Sequence, residues 1–245
     1  MQGVRIVLDI LGESTNELKQ VREATDSYVR LVKGIANEKL HSSISIKVSS
    51  LGYVHDRSTC LQNVLAISKE ASTRKVGFEI DMEGKSMVDF TLDAAKACQE
   101  TGYPTTIAIQ AYLDRSPNDL ERLIERGVRV RVVKGAYVGD TEDFVEIQGR
   151  FKKLVRTIME SGQSFCIGTQ DPELIVWSTV KLAEQSDLIE FGMLKGLSDV
   201  TKLEFLKNKW HVSEYVPFGS NKAAYEDRRR LYLRNLERLG LAPAP

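Results

Sequence analysis

Lys47 sits in the run Ile44-Ser45-Ile46-Lys47-Val48, a cation embedded among apolar and β-branched residues. An ammonium in such a setting is costly unless it is paired or reaches a cavity. Its type allows an anion grip or a Schiff-base amine, and the plainer alternative is an interior ion pair with Asp9 or Asp81. In each case Asp81 is the natural partner that keeps it charged. Arg131 and Lys134 follow a second apolar run and stand three apart, so on one strand their side chains leave opposite faces. Both can serve one site only if the strand breaks at Lys134, which Gly135 permits. Near the C-terminus, Tyr225, Arg228, Arg229 and Tyr232 recur at i, i+3, i+4 and i+7, putting two guanidinium groups and two phenols on one helix face. Adjacent arginines grip a carboxylate or phosphate with directed donors. The plain alternative is a basic helix favoured by its dipole, and the phenols with the preceding Tyr215 weaken it.

Composition excludes several classes. The 245 residues carry 34 Lys+Arg against 34 Asp+Glu, with none of the basic excess that neutralises nucleic-acid phosphates. A hydrophobic fraction of 42% is enough for a sizeable core. Three well-separated cysteines (Cys60, Cys98, Cys166) form no CxxC pair, and three histidines form no HExxH, so neither a disulfide framework nor a metal site is expected. Neither GxGxxG nor GxxxxGK[ST] is present, so a nucleotide cofactor would have to be held by strands and loops of another fold. No apolar run has the ~18 residues of a membrane-spanning helix. The start lacks a signal-peptide layout, and a cytoplasmic protein is expected.

The elements that must position these residues read as a repeat. Short β-branched runs at 4–10, 44–48, 77–80, 106–109, 128–133, 164–167, 188–191 and 212–216 alternate with helical patterns. Ser14 with Glu17 fits a capping box. Ser116-Pro117 and Asp171-Pro172 each place a cap before a first-turn proline, and Gly127 ends the helix that Pro117 begins. Phe144, Ile147, Phe151, Leu154 and Ile158 form one apolar stripe. Eight β/α repeats without a linker predict a single domain over 1–245, a (β/α)8 barrel with its last helix over the C-terminal mouth. Functional groups then belong at the strands' C-terminal ends.

Taken together, the segments at those ends resemble the flavin-dependent proline dehydrogenase family. The matching stretches are Asp9-Ile10-Leu11-Gly12-Glu13, the run from Ser45 to Leu51 that holds Lys47, Ile80-Asp81-Met82-Glu83, Ile109-Gln110-Ala111-Tyr112, Arg131-Val132-Val133-Lys134-Gly135-Ala136-Tyr137, Glu190-Phe191-Gly192-Met193-Leu194, Tyr215-Val216-Pro217-Phe218-Gly219 and Tyr225-Glu226-Asp227-Arg228-Arg229. They occur in family order across nearly the whole chain. The resemblance implies oxidation of L-proline to Δ1-pyrroline-5-carboxylate on non-covalent FAD. It further implies that Arg228, Arg229 and Lys47 bind the proline carboxylate, and that Glu13 pairs with Arg228 as a gate. Tyr137, Tyr215, Tyr225 and Leu194 would shape the pocket around the ring, and Arg131 would lie beside the flavin N5 edge. Gln110, Val133, Lys134, Gly135, Ala136, Thr169 and Gln170 would contact FAD, and Asp81 would anchor the Lys47 and arginine network. Electrons would pass to a quinone-type acceptor through peripheral contact with a membrane, and the product to a pyrroline-5-carboxylate dehydrogenase.

Three positions depart from the family's pattern. Gln170 stands where histidine is common, Gly192 where glutamine is expected, and Tyr232 where a glutamate usually pairs with the second arginine. They predict a looser FAD site or an altered substrate grip. The family's helices before the first strand, one of which plugs the barrel's N-terminal end, are not seen. That implies a minimal version, a fragment, or a segment supplied by a partner chain. Two alternatives follow: a flavin-poor, non-catalytic barrel, or a Schiff-base or metal-assisted lyase using Lys47 with Asp9, Glu13, Asp81 and Glu83.

Overall fold

A computed structural model describes residues 3–12, 17–220 and 222–238. Eight parallel strands close on themselves: β1 (Arg5–Ile10), β2 (Ser42–Ile46), β3 (Gly77–Ile80), β4 (Thr106–Gln110), β5 (Arg129–Val133), β6 (Phe165–Gly168), β7 (Ile189–Leu194) and β8 (His211–Phe218), with β8 paired to β1. Each is followed by a helix: α1 (Leu18–Asn37), α2 (Arg57–Thr73), α3 (Val88–Glu100), α4 (Ser116–Glu125), α5 (Phe144–Glu160), α6 (Pro172–Lys181), α7 (Asp199–Lys207) and α8 (Ala223–Arg238). The expected (β/α)8 barrel is the fold observed.

Strand periodicity sorts the side chains into two environments. Outward residues such as Ile44 and Ile46, Phe78 and Ile80, Val130 and Val132, and Phe191 and Met193 form the apolar core beneath the helices. Many inward residues are polar or charged, among them Arg5 and Asp9 on β1, Ser43 and Ser45 on β2, Glu79 on β3, Arg131 on β5 and Glu190 on β7. Ordinary barrels fill this interior with branched aliphatics. Buried Phe151, Leu154, Val155 and Ile158 seat α5 as its stripe predicts.

The helix ends hold some surprises. Asp171 caps α6 as expected, its carboxylate accepting from the amides of Glu173 and Leu174, and Gly127 takes the left-handed turn after α4 at φ +64°. Ser116, expected as a cap, is already helical, because its hydroxyl donates instead to the Gln110 carbonyl. Helix α1 starts at Leu18 with Glu17 as an N-cap that makes no side-chain bond; Ser14, the expected cap, lies outside the described residues. Helix α8 begins at Ala223. Lys47 is past the end of β2, where the chain enters a single 3₁₀ turn at Val48–Ser50, rather than in mid-strand.

Candidate active site

Among the described residues a cavity opens at each end of the barrel. One of about 190 Å³ lies at the N-terminal ends of the strands, lined by His41, Asp187, Trp210 and His211 among others. The other, about 400 Å³, opens at the C-terminal ends beneath α8. The second is the candidate site: the residues singled out in the sequence at the strands' C-terminal ends line it, with charged groups of both signs.

At its floor Lys47 is 6% exposed, with its Nζ 2.5 Å from Asp9 Oδ2 and 3.3 Å from Asp81 Oδ2. It also donates to the Tyr215 hydroxyl at 3.3 Å. Tyr215 in turn donates to Asp81, and Ser45 donates to the other Asp81 oxygen at 2.9 Å. Tyr28 on α1 donates to Asp9 at 3.2 Å. Burial pushes the Asp81 pKa up, but Lys47, Arg131, Tyr215 and Ser45 outweigh it and hold the carboxyl below its ordinary value. For Asp9, burial and the Asp81 charge win over Lys47, and its pKa rises. Burial beside these two carboxylates drives the Tyr215 phenol well above its usual range, so it stays a donor.

Beneath this cluster lies an ionic ladder that reading the sequence did not single out. Arg131 donates to Glu79 at 2.6 Å and to Asp81 at 3.3 Å. Glu79 also accepts from Arg5 at 2.9 Å and from Ser43 at 3.0 Å. Arg5 reaches round to Glu190 with Nε at 2.9 Å, and Ser213 and Arg129 approach the same carboxylate at 2.7 and 3.7 Å. Burial alone would raise Glu190, yet Arg5, Arg129 and Ser213 hold it at about 2. The Arg131 Nε–H is buried and has no partner. The signal for Arg5 and Glu79 was faint: Arg5 stands four before Asp9, and Glu79 two before Asp81, which lies past the end of β3. Tyr28, delivered by a helix, left no such signal.

One wall is the segment after β5. The strand does break there, with Gly135 at φ +130°, so Arg131 and Lys134 both reach the cavity. Lys134 contacts Asp171 at 3.0 Å, and Gln148 donates to the same oxygen. Burial outweighs Asp171 and lowers the Lys134 pKa. Val133, Ala136, Tyr137, Thr169 and Gln170 also line this wall. Gln110 donates to the Glu83 carbonyl at 2.8 Å, which leaves its Oε1 buried without a partner. Gly192 is small for a reason: a Cβ there would lie 3.1 Å from Cys166 Sγ and 3.4 Å from Ser213 Oγ.

Helix α8 forms the roof with Tyr225, Arg228 and Arg229, and Leu194 meets it from β7. The Arg228 guanidinium lies 4.9 Å from the Tyr137 ring centroid. Arg229 reaches the carbonyls of Lys195 and Gly196, each at 3.4 Å. The Tyr225 hydroxyl is buried without a partner. One cavity thus gathers Lys47, Asp81, Gln110, Arg131, Val133, Lys134, Gly135, Ala136, Tyr137, Thr169, Gln170, Leu194, Tyr215, Tyr225, Arg228 and Arg229. Glu13 lies outside the described residues, as does the side chain of Tyr232.

Of the lyase set, Lys47, Asp9 and Asp81 meet, and Glu13 lies outside the described residues. Glu83 turns away from the cavity to accept from the Ser49 amide and hydroxyl, and Lys47 is clamped between two carboxylates. Among the described residues no three His, Cys, Asp or Glu side chains could jointly hold a metal, and no helix is long and apolar enough to cross a membrane.

Comparison with known proteins converges on one family. A family model described as proline dehydrogenase matches residues 1–229. The chain is 30% identical over 236 residues to proline dehydrogenase 2 of Bacillus subtilis (strain 168), covering 93% of this chain and 78% of the relative. It is 28% identical to proline dehydrogenase 1 of the same strain, again covering 93% of this chain and 78% of the relative. Among solved structures, proline utilization A (PutA) from Bdellovibrio bacteriovorus, inactivated by N-propargylglycine, superposes with a TM-score of 0.84 at 20% identity. It covers 95% of this chain, which spans 30% of that longer one.

Proposed function

From the premise that the chain belongs to the proline dehydrogenase family, and is an enzyme of that kind, we propose that it oxidises L-proline to Δ1-pyrroline-5-carboxylate on a non-covalently held FAD. The observation that carries the cofactor half is a pair of buried atoms without partners on two residues that line the cavity, the acceptor Gln110 Oε1 and the donor Arg131 Nε. Leaving such groups buried and unmade is costly, and a flat ring system with a donor and an acceptor along its edge satisfies both. Lys134, Gly135, Ala136, Thr169 and Gln170 would hold the rest of it. FAD, when bound, supplies the acceptor for the hydride that leaves proline C5.

The chain's own part is binding, orientation and fixed charge. Arg228 and Arg229 on the roof would take the proline carboxylate, with Lys47 as the cation at the floor. Tyr137, Tyr215, Tyr225 and Leu194 would close around the ring and exclude water. Asp81, kept ionised by its donors, fixes Lys47, Tyr215 and Arg131 at once. Arg131, held charged by Glu79 and Asp81, would be the cation of the wall that favours a negatively charged reduced cofactor. With no protein nucleophile needed, such positioning supplies most of the rate. Glu13 would pair with Arg228 when the roof closes. Electrons would go on to a quinone-type acceptor at a membrane surface, and the product to a pyrroline-5-carboxylate dehydrogenase.

The test is spectroscopic. Flavin-loaded protein mixed anaerobically with L-proline is expected to lose its visible flavin band. A loaded sample that keeps its colour would overturn the proposal. Protein that stays colourless after reconstitution with FAD would instead be the flavin-poor, non-catalytic barrel.

A further inference from the structure

Tyr112 follows β4 and is 4% exposed, yet three of its polar atoms are spent on a single loop. Its amide donates to the Lys134 carbonyl at 3.1 Å, its hydroxyl accepts from the Tyr137 amide at 3.1 Å, and its carbonyl accepts from the Asp140 amide at 3.1 Å. The chain between β5 and α5 is therefore tied to one residue at positions 134, 137 and 140. Two glycines of the same loop pack on the ring itself. A Cβ on Gly135 would fall 1.7 Å from Tyr112 Cε1, and one on Gly139 would fall 2.5 Å from Cγ and 2.6 Å from Cδ2. No real Cβ tolerates such distances, so both positions need glycine for as long as the ring is there. Asp140, the far end of the wrap, is pinned a second time by the Asp114 amide at 2.8 Å and by Lys85.

We infer that Tyr112 is a positioning residue: a buried post around which residues 134–140 are wound, so that Lys134, Gly135, Ala136 and Tyr137 face the cavity as a preformed wall. Loops between helices and strands are ordinarily the mobile part of a barrel's mouth, and this one carries two glycines that would loosen it further. The ring removes that freedom before any ligand arrives, so the ordering cost does not fall on binding. Tyr112 acts only through the loop and touches none of the reacting atoms. That the wall so held is the one FAD meets rests on the function proposed above.

The test uses Gly139→Ala and Tyr112→Phe in the full chain, with two separate measurements. Gly139 lacks the left-handed backbone of Gly135 and is half-buried, and the three atoms nearest an added Cβ all belong to the Tyr112 side chain. In flavin-free protein, amide hydrogen exchange over 134–140 is expected to accelerate at least about tenfold in Gly139→Ala while the amides of β4 keep their protection. FAD affinity should fall at least about tenfold in the same variant. Tyr112→Phe keeps the ring, so only the Ala136 and Tyr137 amides that face its hydroxyl should exchange faster, with FAD affinity held within about threefold because about one net hydrogen bond is lost. Wild-type protection over 134–140 in Gly139→Ala would overturn the inference. So would a loosened loop with unchanged FAD affinity, or a phenylalanine variant as damaged as the alanine one. If wild-type protein binds no FAD, the proposed function fails, and exchange in the flavin-free protein still decides whether Tyr112 holds the loop.

Discussion

Replacing Arg5 with methionine tests the ionic ladder directly, because it removes a cation shared by two buried carboxylates while keeping an apolar stem. Arg5 bonds Glu79 and Glu190, whose side chains are 3% and 11% exposed. Glu190 drops from an ordinary value of 4.5 to about 2, which corresponds to about 3 kcal/mol of stabilisation. Arg129 and Ser213 hold part of that shift, so the share of Arg5 is about 2 kcal/mol. Stranding Glu79 as well brings the expected loss to about 3 kcal/mol near neutral pH, at the lower end of what breaking a buried pair costs. The sign with pH follows from the depressed pKa. Stability from Glu190 is fully present above about pH 4.5 and is lost as the pH falls toward 2. In the variant Arg129 and Ser213 keep only part of that depression, so the gap between the two proteins should narrow from about 3 to about 2 kcal/mol at pH ~3. Urea unfolding of both proteins at the two pH values measures it. A gap that stays constant with pH, or one below about 0.5 kcal/mol at neutrality, would refute the ladder as a source of stability.

Arg131→Ala should slow flavin reduction by proline more than it weakens proline binding, since the guanidinium acts where charge develops; anaerobic stopped-flow separates the two. Arg228→Ala and Arg229→Ala should each raise KM for proline by at least about tenfold, as the loss of a charged donor to a carboxylate predicts, and unchanged steady-state kinetics would remove that role. Burial pushes Cys60 and Cys166 up to about 12 and raises Cys98 as well, so a disulfide reagent at pH ~8 should label no thiol in folded protein and all three after denaturation.

Strand positions were legible because each strand is apolar on its outer face and bounded by turn residues, and all eight runs found their place. Local bonds were less legible where tertiary contacts compete. Ser116 has the chemistry of a cap, but a buried carbonyl from β4 claims its hydroxyl. Lys47 read as a mid-strand charge because Val48 continues the β-branched pattern, although the chain has already turned. The cavity's wall and roof were visible as charged strand ends and an arginine pair. Its foundation was harder to see. Glu79 lies in a four-residue strand too short to display an alternation, and Arg5 precedes Val7, which breaks the inward run of charge. Tyr112 stood in a quoted motif, but its use depends on a loop that begins more than twenty residues later.

The neutral composition has a local counterpart in the barrel. On the inward side, Arg5, Lys47, Arg129 and Arg131 face Asp9, Glu79, Asp81 and Glu190, four charges against four, linked by ion pairs. Buried pairs seldom stabilise a fold beyond what well-packed apolar residues would, because desolvation consumes the attraction. What they impose is geometry, since each carboxylate oxygen has its donor assigned. Arg131 shows the result: Nη2 is committed to Glu79 and Asp81, and Nε is left buried without a partner. This separates two properties that usually change together. A protein whose lower layer is rebuilt from apolar residues at Arg5, Glu79, Arg129 and Glu190 should be at least as stable as wild type near neutral pH, in contrast to the single change Arg5→Met. Its Arg131 would have only Asp81 to hold it, so flavin reduction should slow about as much as in Arg131→Ala. Unfolding curves and anaerobic reduction rates on the same variant decide the matter. A rebuilt barrel that is both stable and fully active would show that the ladder holds nothing the reaction uses.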